Sequence, residues 1–470
     1  MGTLTHKAAR GAYGVAVDLA LKHVNKDREK GFLQMVDLTE RYMGDAFSAE
    51  SYEAARRLIQ NPDNKWMKYV NRALDELDPH VVKQTALNLG YEAAFHGTKT
   101  IRQKRVEHGC NIPWLILMDP TSACNLHCTG CWAAEYGNRL NLTYEEMDSV
   151  ITQGKELGIY FYMYTGGEPL VRKEDIIKLC EKHNDCAFHA FTNGTLVDDA
   201  FCEEMSRVGN LSLSISLEGF EEVNDLRRGA GVYDKVMHAM NLLKKHGQIF
   251  GTSICYTSKN VETVTSDEFL DLIIEKGCRF TWYFHYMPVG NEAAVELMPT
   301  KEQREYMYYR VREIRSMEGG KPIYAMDFQN DGEFVGGCIA GGRNYCHINP
   351  NGDVEPCVFI HYSGANIREV SLLEALKQPL FMAYRDNQPF NNNHLRPCPM
   401  LENPEILQRM VEETGAKSTD LQSPESVEHL CGKCHEYAAE WKESANQLWA
   451  AHPRHKEGYQ NYKNEHEKAN

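Results

Sequence analysis

Between Pro113 and about Gly290, short apolar runs alternate with longer amphipathic ones. Trp114 to Met118 predicts a buried strand, followed by a polar loop and a helix from Thr143 to Leu157. The alternation then repeats. Strands are predicted at Tyr160–Tyr164, Phe188–Phe191, Leu211–Leu217, Ile249–Tyr256 and Phe280–Met287, and the helices between them at Lys173–His183, Asp198–Val208, Tyr233–His246 and Thr263–Lys276. Six β–α units in series predict an α/β fold with a parallel sheet, wound either as a partial barrel or as an open doubly wound sheet. Right-handed crossovers place helices over the outer face.

The flanking regions read differently. Residues 1–108 show helical periodicity and no strand pattern. Ser51 reads as an N-cap, and Trp66, Tyr69, Val70, Ala73, Leu74 and Leu77 recur at helical spacing. After a helix near Lys301–Met317 the regularity breaks down. Asn349-Pro-Asn-Gly-Asp353 predicts a hairpin turn between His347-Ile348 and Val354-Glu355, with Cys346 and Cys357 on either side. The expected organisation is a helical region over 1–108, a barrel over 109–300, a small cysteine-rich domain over 301–450 and a charged tail over 451–470, where His452, His455 and His466 read as solvated.

Composition excludes some functions. The net charge of −15 argues against broad nucleic-acid binding. No apolar run reaches the ~18–20 residues of a transmembrane segment, and no signal-peptide core stands at the N-terminus, so a cytoplasmic protein is expected. An amphipathic stretch from Ala8 to Val24 reads as a packed helix rather than a membrane-surface one. Fifteen cysteines in a reducing compartment point to metal ligation more than to disulfides. Cys180, Cys186, Cys202, Cys255 and Cys278 stand alone in helix- or strand-like segments and read as small core residues, as does Cys110. The other nine form two groups.

The first group is Cys124-Asn-Leu-His-Cys128-Thr-Gly-Cys131, in a loop a few residues after the first strand. Such a loop can aim three thiolates at one compact object. A [4Fe–4S] cluster wants four ligands, so three thiolates leave one iron open to an outside molecule. Zinc is the alternative, with His127 or Cys110 completing the set.

If the sheet is a barrel, its active site lies where the strands end. Strand two is followed by Thr165-Gly166-Gly167-Glu168-Pro169. There the glycines allow close approach of a ligand and Glu168 suits an ammonium group; a plain turn is the other reading. Asn193 follows strand three, as a ligand contact or a turn residue. Strand four puts Ser212, Ser214 and Ser216 on one face before Glu218, so Ser216 and Glu218 suit ribose hydroxyls or ordinary packing. His285, at the end of strand six, suits a substrate or proton contact, but a buried, satisfied histidine is the preferred reading.

On Cys124/Cys128/Cys131, Gly166-Gly167-Glu168-Pro169 and Ser214 to Gly219, the sequence resembles the radical S-adenosylmethionine (SAM) superfamily over about 110–290. The resemblance implies a partial (β/α)6 TIM-like barrel. It implies a [4Fe–4S] cluster on the three cysteines, SAM chelating its fourth iron, and the Gly-Gly-Glu-Pro turn holding the methionine amino group. The fourth-strand motif would contact the ribose. One departure stands at Gly130, where many members carry an aromatic residue; here Trp132 follows the third cysteine instead.

Residues 338–398 resemble the auxiliary-cluster domain called SPASM, or the shorter twitch domain, through Cys338, Gly352 and Cys357. That resemblance implies at least one auxiliary iron–sulfur cluster, with Cys338, Cys346, Cys357 and Cys398 as the expected ligands. Cys431 and Cys434 are replacements or a separate site, zinc included. The implied activity is reductive cleavage of SAM to a 5′-deoxyadenosyl radical that takes hydrogen from a substrate, with electrons from a low-potential donor such as flavodoxin or ferredoxin. A peptide or protein is the first expected substrate and a lipid or small molecule the second. The rival class is a non-catalytic iron–sulfur or zinc protein.

Overall fold

The computed structural model describes residues 3–43, 48–133, 140–317 and 319–451. The expected charged tail, with His452, His455 and His466, lies outside the described residues.

The N-terminal region is helical as expected: Thr3–Lys26, Arg28–Met43, Ala49–Ile59, Lys65–Glu76, Pro79–Thr85 and Thr98–His108, with a π-helical stretch at Ala86–Gly97. The third helix is capped by Ser48, not Ser51, and Asp78 caps the fifth ahead of Pro79. The π-helical stretch packs under the barrel. Asn88 Nδ2 donates to the carbonyls of Asn184 and Cys186, just before strand three.

The six expected strands form as β1 (Leu115–Met118), β2 (Phe161–Tyr164), β3 (Ala187–Thr192), β4 (Leu211–Ser216), β5 (Phe250–Tyr256) and β6 (Phe280–His285). They lie side by side in chain order and all run parallel. Sequential order settles the choice between barrel and doubly wound sheet. Crossovers of one hand then put every helix on one face, and the sheet curls around the other. That inner face carries Leu117, Met163, Phe191, Ser216, Ser253 and Trp282. Outward residues such as Ile116, Tyr162, Leu213 and Ile254 are buried under the helices.

Two helical elements depart from expectation. The helix expected over Thr263–Lys276 is two, Val261–Thr265 and Asp267–Glu275, because Ser266 takes extended backbone and caps the second. A further helix, Glu221–Arg228, is charged on most of its faces and so gives no apolar period to read.

The sheet also extends past the expected barrel. β7 (Tyr324–Asp327) joins β6 in parallel, and β8 (Tyr345–Ile348) joins β1 in parallel. β9 (Val354–Glu355) pairs antiparallel with β8, which is the expected hairpin. The cysteine-rich region is therefore hydrogen-bonded into the barrel's first edge.

Candidate active site

A cavity of about 230 Å³ lies at the C-terminal ends of β1–β6. Cys124, Cys128 and Cys131 all line it, each partly exposed to it. Burial pushes the Cys124 thiol up to about 11 and Cys128 up as well. Left alone, these are neutral thiols; bound iron would deprotonate them outright. Among the described residues, neither cysteine group brings three ligand atoms within 4.8 Å of one another. A single zinc ion with ~2.3 Å bonds to sulfur needs a tighter set, so the spread thiols suit a larger object.

The loop is braced from three sides. The Thr129 amide donates to the Arg227 carbonyl at 3.0 Å, and Arg227 Nε donates back to the Thr129 carbonyl at 3.2 Å. Asn193 Nδ2 donates to Asn125 Oδ1 at 2.8 Å and lies 3.9 Å from Cys124 Sγ. Gly130 has φ +65°, and a Cβ there would fall 2.8 Å from Tyr286. The aromatic ring missing from the sequence before the third cysteine therefore arrives from the end of β6.

The Gly-Gly-Glu-Pro turn has a different logic from the one expected. A Cβ on Gly166 would lie 2.7 Å from the Thr121 carbonyl, and one on Gly167 2.3 Å from that of Ala123. The glycines thus admit the backbone of the cysteine loop, which they bind through the Gly167 and Glu168 amides at 3.0 and 2.8 Å. Both glycines still line the cavity. Glu168 lines it too, buried at 1% exposure. Its Oε1 accepts from Thr192 Oγ1 and the Leu170 amide, and its Oε2 from the Asn193 amide at 2.8 Å. Burial raises its pKa against these donors. A carboxylate oxygen accepts about two hydrogen bonds, so Oε2 can take another donor. Pro169 is buried and opens a short 3-10 turn behind the cavity.

On β4 the two expected contacts separate. Ser216 lines the cavity. Glu218 does not: it is fully buried, with Oε1 paired to Arg227 (2.7 Å) and Arg228 (2.5 Å). Ser253, Cys255 and Arg228 are among the cavity residues that sequence reasoning missed. Ser253 is the register partner of Ser216. Cys255, read as core, points inward two residues later and is half-buried. Arg228 lines the cavity with Nη1 3.9 Å from Cys128 Sγ. The adjacent arginines after Glu218 were the available signal. His285 matches its structural reading: Nε2 sits 2.7 Å from Tyr437 Oη, and Nδ1 2.6 Å from the Tyr286 carbonyl.

A second, larger cavity of about 450 Å³ shares walls with the first through Trp282, Phe328 and Phe359. Cys338, Cys357 and Cys398 line it, and Tyr345 Oη donates to Cys357 Sγ. Burial raises all three thiols, Cys338 to about 12 and Cys357 to about 11. The structure does not bring Cys346 to them. Cys346 stands opposite Ile116 in the β1–β8 register, so alternation turns it to the outer face while Tyr345 and His347 turn inward. Cys431 and Cys434 are buried at the end of the helix Val427–Gly432 and line neither cavity.

A charged triad ties the two regions together. His347 lies 2.9 Å from Asp119, at the start of the cysteine loop, and 2.6 Å from Glu355, and all three are fully buried. Burial alone would lower His347, but the two carboxylates outweigh it and hold it up at about 10.

Thiols, a glycine–carboxylate turn and serines at one strand end define a partial-barrel enzyme with its chemistry at the open rim. The family model of the radical SAM superfamily matches residues 118–274, and that of the SPASM iron–sulfur cluster-binding domain matches 338–399. The chain therefore carries a radical SAM domain and a SPASM domain, whose cofactors are a [4Fe–4S] cluster, SAM and auxiliary iron–sulfur. It is similar to the AdoMet-dependent heme synthase of Methanosarcina barkeri, 24% identical over 69% of this chain and 89% of that one. Mycofactocin maturase MftC of Mycolicibacterium smegmatis is 28% identical over 54% and 67% of the respective chains. The structure of Streptococcus suis SuiB bound to S-adenosylmethionine aligns with a TM-score of 0.54 at 19% identity, over 82% and 89%.

Proposed function

We propose that the chain cleaves SAM reductively and uses the 5′-deoxyadenosyl radical to take hydrogen from a peptide or protein substrate. Cys124, Cys128 and Cys131 would hold the first cluster, which when bound to SAM supplies the electron that splits the sulfonium C–S bond into methionine and the radical. The chain's own groups do the positioning. Glu168, which lines the cavity with acceptor capacity left on Oε2, would hold the methionine ammonium, and Arg228, which lines it too, would offer positive charge to the methionine carboxylate. Ser216 and Ser253 suit the ribose hydroxyls. The apolar walls keep water from a primary alkyl radical. The electron comes from a low-potential donor of the flavodoxin or ferredoxin class.

The observation that carries this reading is the convergence of three spread thiols, Gly166 to Glu168, Ser216 and Arg228 on one cavity. Peptide chemistry is supported by SuiB, whose fold this chain shares and which has been solved with the precursor peptide SuiA (TM-score 0.52). The heme synthases and the size of the apolar second cavity favour a small-molecule reading, since such sites run to about 300–1,000 Å³. Cys338, Cys357 and Cys398 would hold auxiliary iron–sulfur, with Cys431 or Cys434 serving as a further ligand or a separate site. A cytoplasmic setting fits fifteen cysteines none of which is paired in a disulfide; no described helix is long and apolar enough to cross a membrane.

The test is anaerobic reconstitution, reduction with dithionite, and addition of SAM together with peptides encoded beside the gene. A mass shift in a peptide with matching 5′-deoxyadenosine supports the reading. 5′-Deoxyadenosine with no peptide change, but consumption of a small molecule, moves the substrate to the second class.

A further inference from the structure

Below the barrel, at the opposite end of the strands from the SAM cavity, the π-helical stretch Ala86–Gly97 carries Glu92 and His96 four residues apart. The first helix brings His6 against them. His6 Nε2 lies 2.9 Å from Glu92 Oε2, and the His6 and His96 rings stack with centroids 3.9 Å apart. Among the described residues, this is the only group of His, Cys, Asp or Glu whose ligand atoms all fall within 4.8 Å of one another.

We propose that His6, Glu92 and His96 bind a divalent transition-metal ion of the zinc class, and that the ion pins the N-terminal helix beneath the barrel. Two imidazoles and one carboxylate are a common set for such an ion, and an i, i+4 pair on one helical face is a common way to present two of them. The surroundings match. Glu92 is fully buried, and Arg10 Nε pairs with its other oxygen, Oε1, at 2.8 Å, which leaves Oε2 for the ion. A ligating carboxylate is usually held this way by an outer partner. Tyr160, just before β2, packs edge-on against His96, and Tyr91 stacks on His6. π-Helical turns are rare and concentrate at functional sites, and this one holds the two inner ligands in place.

The position argues for structure rather than turnover. The bottom of a barrel is where stability is built, and the clip closes the chain between positions 6 and 92. Three side chains leave the remaining position to water, so the ion should exchange with chelator.

The experiment uses the full chain with its clusters reconstituted, mixed with Zn2+, desalted and analysed by elemental mass spectrometry. Wild type is expected to keep roughly one zinc per chain, removable by EDTA. His6→Ala and His96→Ala should weaken binding by about tenfold or more. Zinc should raise the thermal midpoint of wild type and leave that of His6→Ala unmoved; His6 is half-buried on a terminal helix, so this variant tests the site without opening the core. The Cys124/Cys128/Cys131 triple alanine variant should keep the zinc, which separates this site from the catalytic one. Equal zinc in wild type, His6→Ala and His96→Ala, or none in wild type after addition, would overturn the proposal.

Discussion

The first cavity takes three of its four thiols from eight consecutive residues, Cys255 being the fourth; the second takes its three from loops spread between positions 338 and 398. In the first, one turn of chain fixes the spacing, and β1, the Gly166–Gly167 turn and the Glu221–Arg228 helix only have to hold it. In the second, nothing local fixes it. Cys338, Cys357 and Cys398 meet because β8 docks on β1 and because Tyr345, on the inner face of β8, reaches Cys357. A short cysteine motif is therefore readable on its own, whereas a dispersed one depends on register.

That contrast can be broken most sharply by removing one set of thiols at a time. Cys124, Cys128 and Cys131 changed together to alanine should end SAM cleavage, yet leave brown protein with about half of its iron, if each site holds one cluster of similar iron content. A folded triple variant with no iron would mean that the second cavity holds none. The reciprocal Cys338/Cys357/Cys398 variant should keep the first cluster's signal in electron paramagnetic resonance spectra after reduction with dithionite.

The next effect tests what joins the two regions. His347→Ala strands two fully buried carboxylates and is expected to cost about 3–5 kcal/mol in chemical denaturation. The pH dependence follows from its raised pKa. Its stabilisation is complete below the ordinary imidazole value of 6.5 and is lost as pH rises through about 10. Wild type should lose stability between pH 7 and 10, and His347→Gln should flatten that slope. A smaller effect is expected at the SAM pocket, where Arg228→Lys should raise the KM for SAM by about tenfold or less with the iron content unchanged. The smallest belongs to Cys346→Ala. Removing one outward-facing sulfur should cost about 1 kcal/mol and no iron. Loss of auxiliary iron in that variant would put Cys346 back among the ligands.

Much of the barrel was legible because buried strands and amphipathic helices leave different periods. All six strands fall where those periods put them, within a few residues. What escaped has physical reasons. β7 and β8 are short strands whose burial comes from edges formed elsewhere in the chain. The Glu221–Arg228 helix earns its place by charge, clamping Glu218 and the cysteine loop, and charge has no apolar period. Glu218 was read as a ribose contact or as ordinary packing; its pairing with Arg227 and Arg228 depends on the fold of the Glu221–Arg228 helix, which no local pattern revealed. Cys255 was read as core because alternation on β5 could not be phased without the β4 register. The Gly166–Gly167 pair was read as admitting a ligand, and the atoms it admits in the structure are the Thr121 and Ala123 carbonyls of the chain itself.

If Cys124, Cys128 and Cys131 hold a cluster, they leave one of its irons open for SAM. The direct measurement is 5′-deoxyadenosine by mass spectrometry from wild-type protein reconstituted with iron and sulfide, reduced and given SAM without oxygen. 5′-Deoxyadenosine and methionine are expected in equal amounts from wild type and should be absent in the Cys124/Cys128/Cys131 variant. Cluster-loaded wild type that forms neither product, with or without candidate substrates, would contradict it.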